Sequence, residues 1–167
     1  MIMTEINESL DAIDIRLLQQ LQQDASLTNQ ALAEFCHLTP PTCLRRVRRL
    51  HTLGLIASTV AVLQPDVLKQ YTGQGLVAIV EVTLDQQAQE LLDAFEAQVV
   101  ADDAVQQCYR TSSGPDFVVI LALRDMDDFL AASQRLFTQH ANVRNVRTFF
   151  SVKRAKFGVG VPLGLSS

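Results

Sequence analysis

The sequence has no tryptophan, two tyrosines and only three cysteines among 167 residues. An odd and small number of cysteines spread along a chain cannot build a disulfide framework, so a reducing setting is expected. Glycine (7) and proline (5) are few, which excludes collagen-like and low-complexity classes. The longest apolar runs, such as Phe117–Leu123, are far shorter than a bilayer-spanning helix requires. The first residues, Met-Ile-Met-Thr-Glu-Ile, show no basic stretch followed by an apolar one. No signal peptide is therefore expected, and the cytoplasm is the expected compartment. No single charge dominates either: 14 Lys and Arg stand against 18 Asp and Glu, a net charge of −4. What is present is enough apolar residue, 48 %, to bury one large core or two small ones.

The net charge hides its distribution. Residues 1–64 carry five arginines and six acids, yet four of those arginines occupy five positions, Arg45, Arg46, Arg48 and Arg49. Phosphates more than about 8–10 Å from a charge are screened, so a local basic stripe outweighs the total.

Up to about Leu53 the apolar spacing is helical. Leu10, Ile13, Leu17 and Leu21, with Leu18 beside them, form one face of a first helix capped by Ser9 or Asp11 and ended by Asp24-Ala25-Ser26. Thr28 as N-cap, then Ala31, Leu32 and Phe35, predict a short second helix. Thr39-Pro40 opens a third, and Gly54 stops it. Beyond Gly54 the texture changes. Leu55–Leu63 is rich in β-formers, and the stretches 64–66 and 71–75 read as turns or linker. Strands are expected at Leu76–Leu84, Val105–Thr111, Asp116–Leu123 and Val143–Val152. Helices are expected at Ala88–Val100 and from Asp125 to about Gln139, the latter with Phe129, Leu130, Ser133, Leu136 and Phe137 inward. The order β-α-β-β-α-β predicts a ferredoxin-like α+β unit, helices on one face of an antiparallel sheet.

On a helical wheel, residues 40–51 place Leu44, Val47 and Leu50 on one side, with Cys43 and His51 at its edges. Thr42, Arg45 and Arg49 point the other way, flanked by Arg46 and Arg48. Arginine forks suit guanine edges and phosphates, and threonine can touch either. Two short helices and a tight turn lead into this one, which is the plan of a helix-turn-helix whose second element enters the major groove. A plain solvated helix face is the competing reading.

The residues Leu10-Asp11-Ala12-Ile13-Asp14, Asp24–Asn29, Leu38–Leu50 and Gly54-Leu55-Ile56 resemble the Lrp/AsnC family of transcription regulators. The likeness extends over about residues 9–155. It implies a winged or plain helix-turn-helix over 1–56, a β-linker over 57–74, a ferredoxin-like dimerisation and effector-sensing domain over 75–156 and a tail over 157–167. It further implies double-stranded DNA as partner, with Thr39, Pro41, Thr42, Arg45, Arg46, Arg48 and Arg49 at the contact. Homodimers joined through their sheets, assembling on to tetramers or octamers, and an amino-acid effector held between dimers follow from the same likeness. The effector site would comprise Thr111, Ser112, Ser113, Gly114 and Asp116 of one loop with Thr148 and Phe150 of the last strand. The family's loop runs Gly-x-aromatic-Asp-aromatic; here Asp116 and Phe117 fit, while Ser113 and Pro115 depart from it. A turn rich in amides and hydroxyls can hold a carboxylate, and Asp116 an ammonium. A plain Gly114-Pro115 turn is the simpler alternative.

Other constellations weigh less. Cys36, His37, Cys43 and His51 match no compact zinc spacing, so no metal is expected. The acids Asp102-Asp103 and Asp125, Asp127, Asp128 read as helix caps and turn residues rather than a catalytic pair. There is no glycine-rich phosphate loop, no nucleophile elbow and no triad, so neither an enzyme nor a cofactor is expected. Lys153-Arg154-Ala155-Lys156 reads as a solubilising strand end or a second phosphate-facing patch. The apolar, glycine-rich tail Phe157–Ser167 either packs along a neighbouring subunit or is disordered. The rival function is an amino-acid-sensing metabolic protein whose N-terminal helices dock a protein partner.

Overall fold

The structure, a computed structural model, describes residues 9–72 and 75–164. The chain forms two compact units. One holds the residues up to Val62 together with the chain from Lys156 onward; the other holds Leu63–Ala155.

The first unit is helical: α1 (Ala12–Gln23), α2 (Asn29–Phe35) and α3 (Pro40–Thr52). Asp11 caps α1 by accepting from the amides of Ile13 and Asp14, and Asp14 returns the favour to the Asp11 amide, a complete capping box. Thr28 caps α2 through the Ala31 amide. Leu17, Leu32, Ala33, Cys36, Cys43 and Leu50 form the core, with Leu10, Ile13, Leu21, Val47 and Ile56 packed around it. Among the described residues this unit contains no strand. The β-rich stretch Leu55–Leu63 pairs with nothing, and Val60, Val62 and Leu63 stand exposed. A lone strand leaves its amides and carbonyls unpaired, so without a neighbour its composition cannot make it a strand.

The second unit opens on α4 (Pro65–Thr72). Gln64-Pro65-Asp66, expected as a turn, is the start of this helix. Proline instead sits at the first helical position, where its missing N–H costs nothing. There follow β1 (Leu76–Leu84), α5 (Gln89–Val100), β2 (Val105–Arg110), β3 (Phe117–Leu123), α6 (Met126–Ser133) and β4 (Val143–Phe150). The strands form one antiparallel sheet in the order β2-β3-β1-β4. This is the expected ferredoxin-like arrangement. Ala78, Val80, Val82 and Leu84 of β1 and Phe117, Val119 and Leu121 of β3 bury one face of the sheet in the same core as Phe95, Val99, Ala132, Leu136 and Phe137 of the helices. Val77, Ile79 and Glu81 lie on the other face, beside Val118, Ile120 and Ala122.

Helix α6 departs from the wheel. Leu130 is exposed and Ala132 is buried in its place. After Ser133 the helix widens into a π-helical turn, Gln134–Thr138, marked by the Gln139 amide donating to Gln134 O. A wider turn advances each residue by less than the α-helical 100°, so Leu136 and Phe137 both reach the core side by side.

Candidate nucleic-acid interface and effector loop

The turn into α3 is a Schellman motif. The His37 amide donates to Glu34 O and the Leu38 amide to Ala33 O, and His37 takes φ 56°. Glycine is the usual residue there; His37 carries a side chain into left-handed backbone. Asn29 Nδ2 donates to Pro40 O at 2.9 Å and so joins the starts of α2 and α3. Thr39 is the N-cap of α3, but its hydroxyl donates to Thr42 Oγ1 at 2.9 Å rather than accepting from the backbone. Gly54, at φ 72°, ends the helix in a second Schellman motif, with Leu55 N donating to Leu50 O and Gly54 N to His51 O.

The buried arc of α3 is Cys43, Val47 and Leu50, not Leu44, Val47 and Leu50; Leu44 is 39 % exposed. The outward face is correspondingly rotated to Pro41, Arg45 and Arg48, all exposed, with Thr42 half-buried at its edge. Arg46 and Arg49 turn back toward α1. Asp14 is 1 % exposed; its Oδ1 accepts from Arg46 Nη1 at 2.7 Å and its Oδ2 from Arg49 Nη1 at 3.0 Å. Arg46 Nη1 also meets Asp11 Oδ2 at 2.8 Å. The bonds to Asp14 and Asp11 hold the Arg46 guanidinium charged, above its already high ordinary value. The amide of Asp14 and the Arg46 guanidinium hold the Asp11 carboxyl below the usual carboxylate range. Buried acid on α1 thus neutralises half of the arginine cluster. Arg45 and Arg48 form no ion pair among the described residues.

In the second unit the expected effector residues do not converge within one chain. The loop between β2 and β3 is closed by the Thr111 amide donating to Asp116 O at 3.0 Å and by the Thr111 hydroxyl donating to Pro115 O. Gly114 turns it at φ 85°. Ser112 and Ser113 are exposed at its tip. Asp116 is a structural acceptor: its Oδ2 takes the Leu84 amide at 2.7 Å, at the register shift where β1 ends. Thr148 and Phe150 lie on β4, opposite Val80 and Ala78, on the helix-covered face. Phe150 packs edge-on against Phe129, ring centroids 4.9 Å apart. Val80 is four residues of strand, about 13 Å, from Leu84, and β4 and β3 flank β1 on opposite sides.

The pattern of the AsnC-type helix-turn-helix domain matches residues 10–51, and that of the Lrp/AsnC ligand binding domain matches residues 77–161. The chain is 33 % identical to the leucine-responsive regulatory protein of Rhizobium meliloti over 90 % of its own length and 94 % of that protein's. It belongs to the Lrp/AsnC family. An uncharacterised helix-turn-helix regulator of Haemophilus influenzae is 31 % identical, over 93 % of this chain and 90 % of that one. A transcriptional regulator of Neisseria meningitidis, solved as a complex with L-Met, superposes with a TM-score of 0.79 at 28 % identity, covering 92 % of this chain and 97 % of that one. The chain is accordingly a transcriptional regulator with a helix-turn-helix and a ligand-binding domain, not an enzyme.

Within this Lrp/AsnC chain the acid clusters have plain structural partners. Asp125 caps α6 through the Asp128 amide, Asp128 pairs with Arg124 at 2.6 Å, and Asp102 pairs with Arg135 at 2.6 Å. Cys36 and Cys43 are core residues whose thiols burial pushes up. Sequence reasoning missed a cavity of about 830 Å³ at the end of the sheet opposite the β2–β3 loop, floored by Leu76, Ala104, Ala122 and Ala132 and rimmed by Arg124 and Arg135. These residues come from β1, the turn before β2, β3 and α6, far apart in sequence, so no motif announces it. No helix of the described residues is long and apolar enough to cross a membrane.

Proposed function

We propose that α3 reads double-stranded DNA through Pro41, Thr42, Arg45 and Arg48, with Thr39 at the phosphate edge of its N-terminus, and that Arg46 and Arg49 orient the helix rather than touch the duplex. The observation that carries this reading is the exposure of Arg45 and Arg48 on a helix whose opposite side is core, while Asp14 engages the other two arginines. A recognition helix offers its N-terminal residues to the base edges, and bidentate arginine is the commonest specific contact. The rival docking of a protein partner calls for an apolar stripe on α3, which presents arginine instead. One three-helix head makes a small interface, so affinity comes from two heads on half-sites about one turn apart.

The open sheet face supplies the means of pairing. Ile79, Tyr109 and Phe149 stand exposed there beside Val118 and Ile120, an apolar surface that suits a second copy of the same sheet. Assembly on to tetramers or octamers is part of this reading. The effector is an amino acid, in keeping with the L-Met bound by the Neisseria relative. Because the loop 111–116 and Thr148 lie apart in one chain, its site is completed where copies meet. The cytoplasm is the compartment of such a regulator.

A gel shift with the protein's own upstream region tests the reading. Arg45→Ala with Arg48→Ala should cost about 1–3 kcal/mol of specific affinity per lost base contact and lower the salt slope, with the melting temperature unchanged. Equal binding by wild type and double variant would remove α3 as the reader. Melting and light scattering with L-Met and the other amino acids test the effector: a raised melting temperature or an altered mass is expected with at least one.

A further inference from the structure

The chain leaves the helical unit at Val62 and rejoins it from Lys156 onward. There its extended backbone runs along the outward side of α1. Gln22 Nε2 donates to Val161 O at 3.0 Å, and Gln22 Oε1 accepts the Val161 N–H at 3.0 Å. Gln19 Nε2 donates to Leu163 O at 3.3 Å. Gly160 lies flat against the Gln22 amide; a Cβ there would sit 3.6 Å from Cδ and Oε1.

A glutamine amide carries the same donor and acceptor as a peptide group. Spent together on both polar groups of one residue, it makes the two-bond ring of a β-bridge. The geometry also sets direction and register. Residues two apart on an extended chain face the same edge at about 6.6–6.8 Å, and residues three apart on a helix lie at about 5–6 Å. Val161 and Leu163 therefore meet Gln22 and Gln19 in antiparallel order. Pro162, between them, lacks an N–H, so a slip that sets Pro162 opposite Gln22 would leave Gln22 Oε1 with no donor. The two glutamines lie away from both the core side of α1 (Leu17, Leu21) and its Asp14 side toward α3, so the docked strand leaves the arginine face open.

We infer that the glutamine side of α1 is a docking surface for extended backbone, occupied by this chain's own C-terminal segment, and that the DNA-reading head is thereby tethered twice: once through residues 57–64 and once through the return from β4. One tether lets a head pivot over all the volume its linker reaches; two restrict that volume and connect β4 of the ligand-binding domain to α1 through residues 151–160. The docking stands on the hydrogen bonds alone, while its consequence for half-site spacing rests on the DNA reading proposed above.

Amide hydrogen exchange on the full-length protein decides the docking. The Val161 amide is expected to exchange at least about tenfold more slowly than in a free peptide. Gln22→Ala should abolish that protection and leave Leu17 and Leu50 amides unchanged. Val161→Pro, which lies outside the helices and removes the donor, should release the Leu163 segment likewise. Free-peptide exchange at Val161 in the wild type, or protection that survives Gln22→Ala, overturns the docking. Protection that rises with protein concentration puts the strand on a second copy and overturns the in-chain tether. A gel shift then reads the consequence: Gln22→Ala should keep wild-type affinity for a single half-site while losing at least about threefold of the preference between duplexes with different half-site spacings. Protection without any change in spacing preference would confine the tail to a structural role, and absence of DNA binding in the wild type would count against the DNA reading without touching the exchange result.

Discussion

Asp14 shows how one buried carboxylate divides four neighbouring arginines into two kinds. It lies on α1, more than thirty residues from its partners, and its burial at 1 % exposure requires a cationic partner. Asp14→Asn removes the charge that holds Arg46 and Arg49, and is expected to destabilise the helical unit by about 1–3 kcal/mol in urea unfolding. Arg46→Ala should lower stability in the same way, whereas Arg45→Ala should leave it within about 0.5 kcal/mol and act on DNA affinity alone. His37 gives the opposite case. Left-handed backbone costs a side-chain-bearing residue about 1–2 kcal/mol, part of which glycine's greater unfolded freedom takes back. His37→Gly should therefore raise the melting temperature, by an increment equivalent to about 0.5–1 kcal/mol; a lowered value would show that the exposed imidazole makes a contact that outweighs the strain.

At the scale of elements, legibility followed whether a pattern is local. The run Leu76–Leu84 was legible as a strand from its composition and alternation; that Ala78, Val80 and Val82 take the buried face was decided by packing. The caps Asp11, Thr28 and Asp125 were readable because capping bonds span only a few residues. The wheels of α3 and α6 failed by about one residue. Cys43 is buried where Leu44 was expected, because the small thiol fits close against the α1 and α2 contacts while the larger Leu44 is turned outward. Leu130 gave way to Ala132 for a like reason, and the π-helical turn that restores Phe137 to the core leaves no trace in composition. Asp116 belongs here too. Beside its expected place in the effector loop it has a structural bond that the sequence does not announce: its Oδ2 holds the Leu84 amide at the end of β1. Asp116→Ala should cost the ligand-binding unit about 1–3 kcal/mol, since the half-buried amide loses its acceptor. Asp102 carries a pH signature. The Arg135 guanidinium lowers its carboxyl below the ordinary 3.8. A group with a depressed folded value stabilises above its unfolded value, and loses that contribution as pH falls through the folded one. The urea midpoint of Asp102→Asn should therefore lie below the wild type's at pH 7 and approach it as pH falls below 3.8 and through the lower folded value, the gap being small because Arg135 is half-exposed.

For the whole molecule the consequential surface is the open sheet face. Ile79 contributes to no core, so Ile79→Arg should leave melting cooperative, and the sheet pairing proposed above predicts that it lowers the mass in light scattering from dimer to monomer. An unchanged mass would send the search for the dimer contact elsewhere. Val60, Val62 and Leu63, β-formers that stand exposed and pair with no strand among the described residues, are a second apolar stretch at this scale.

The family, the ferredoxin-like order of elements from β1 onward, and helix caps such as Thr28 and Asp125 were determined by the sequence alone, because each rests on short-range periodicity or on bonds spanning a few residues. Which arginines face outward, what Asp116 holds, and where the last dozen residues go were decided only by the tertiary structure. Those outcomes depend on charges and amides that meet across thirty or more residues of chain, and desolvation, which selects among such partners, acts only once the chain has closed around them.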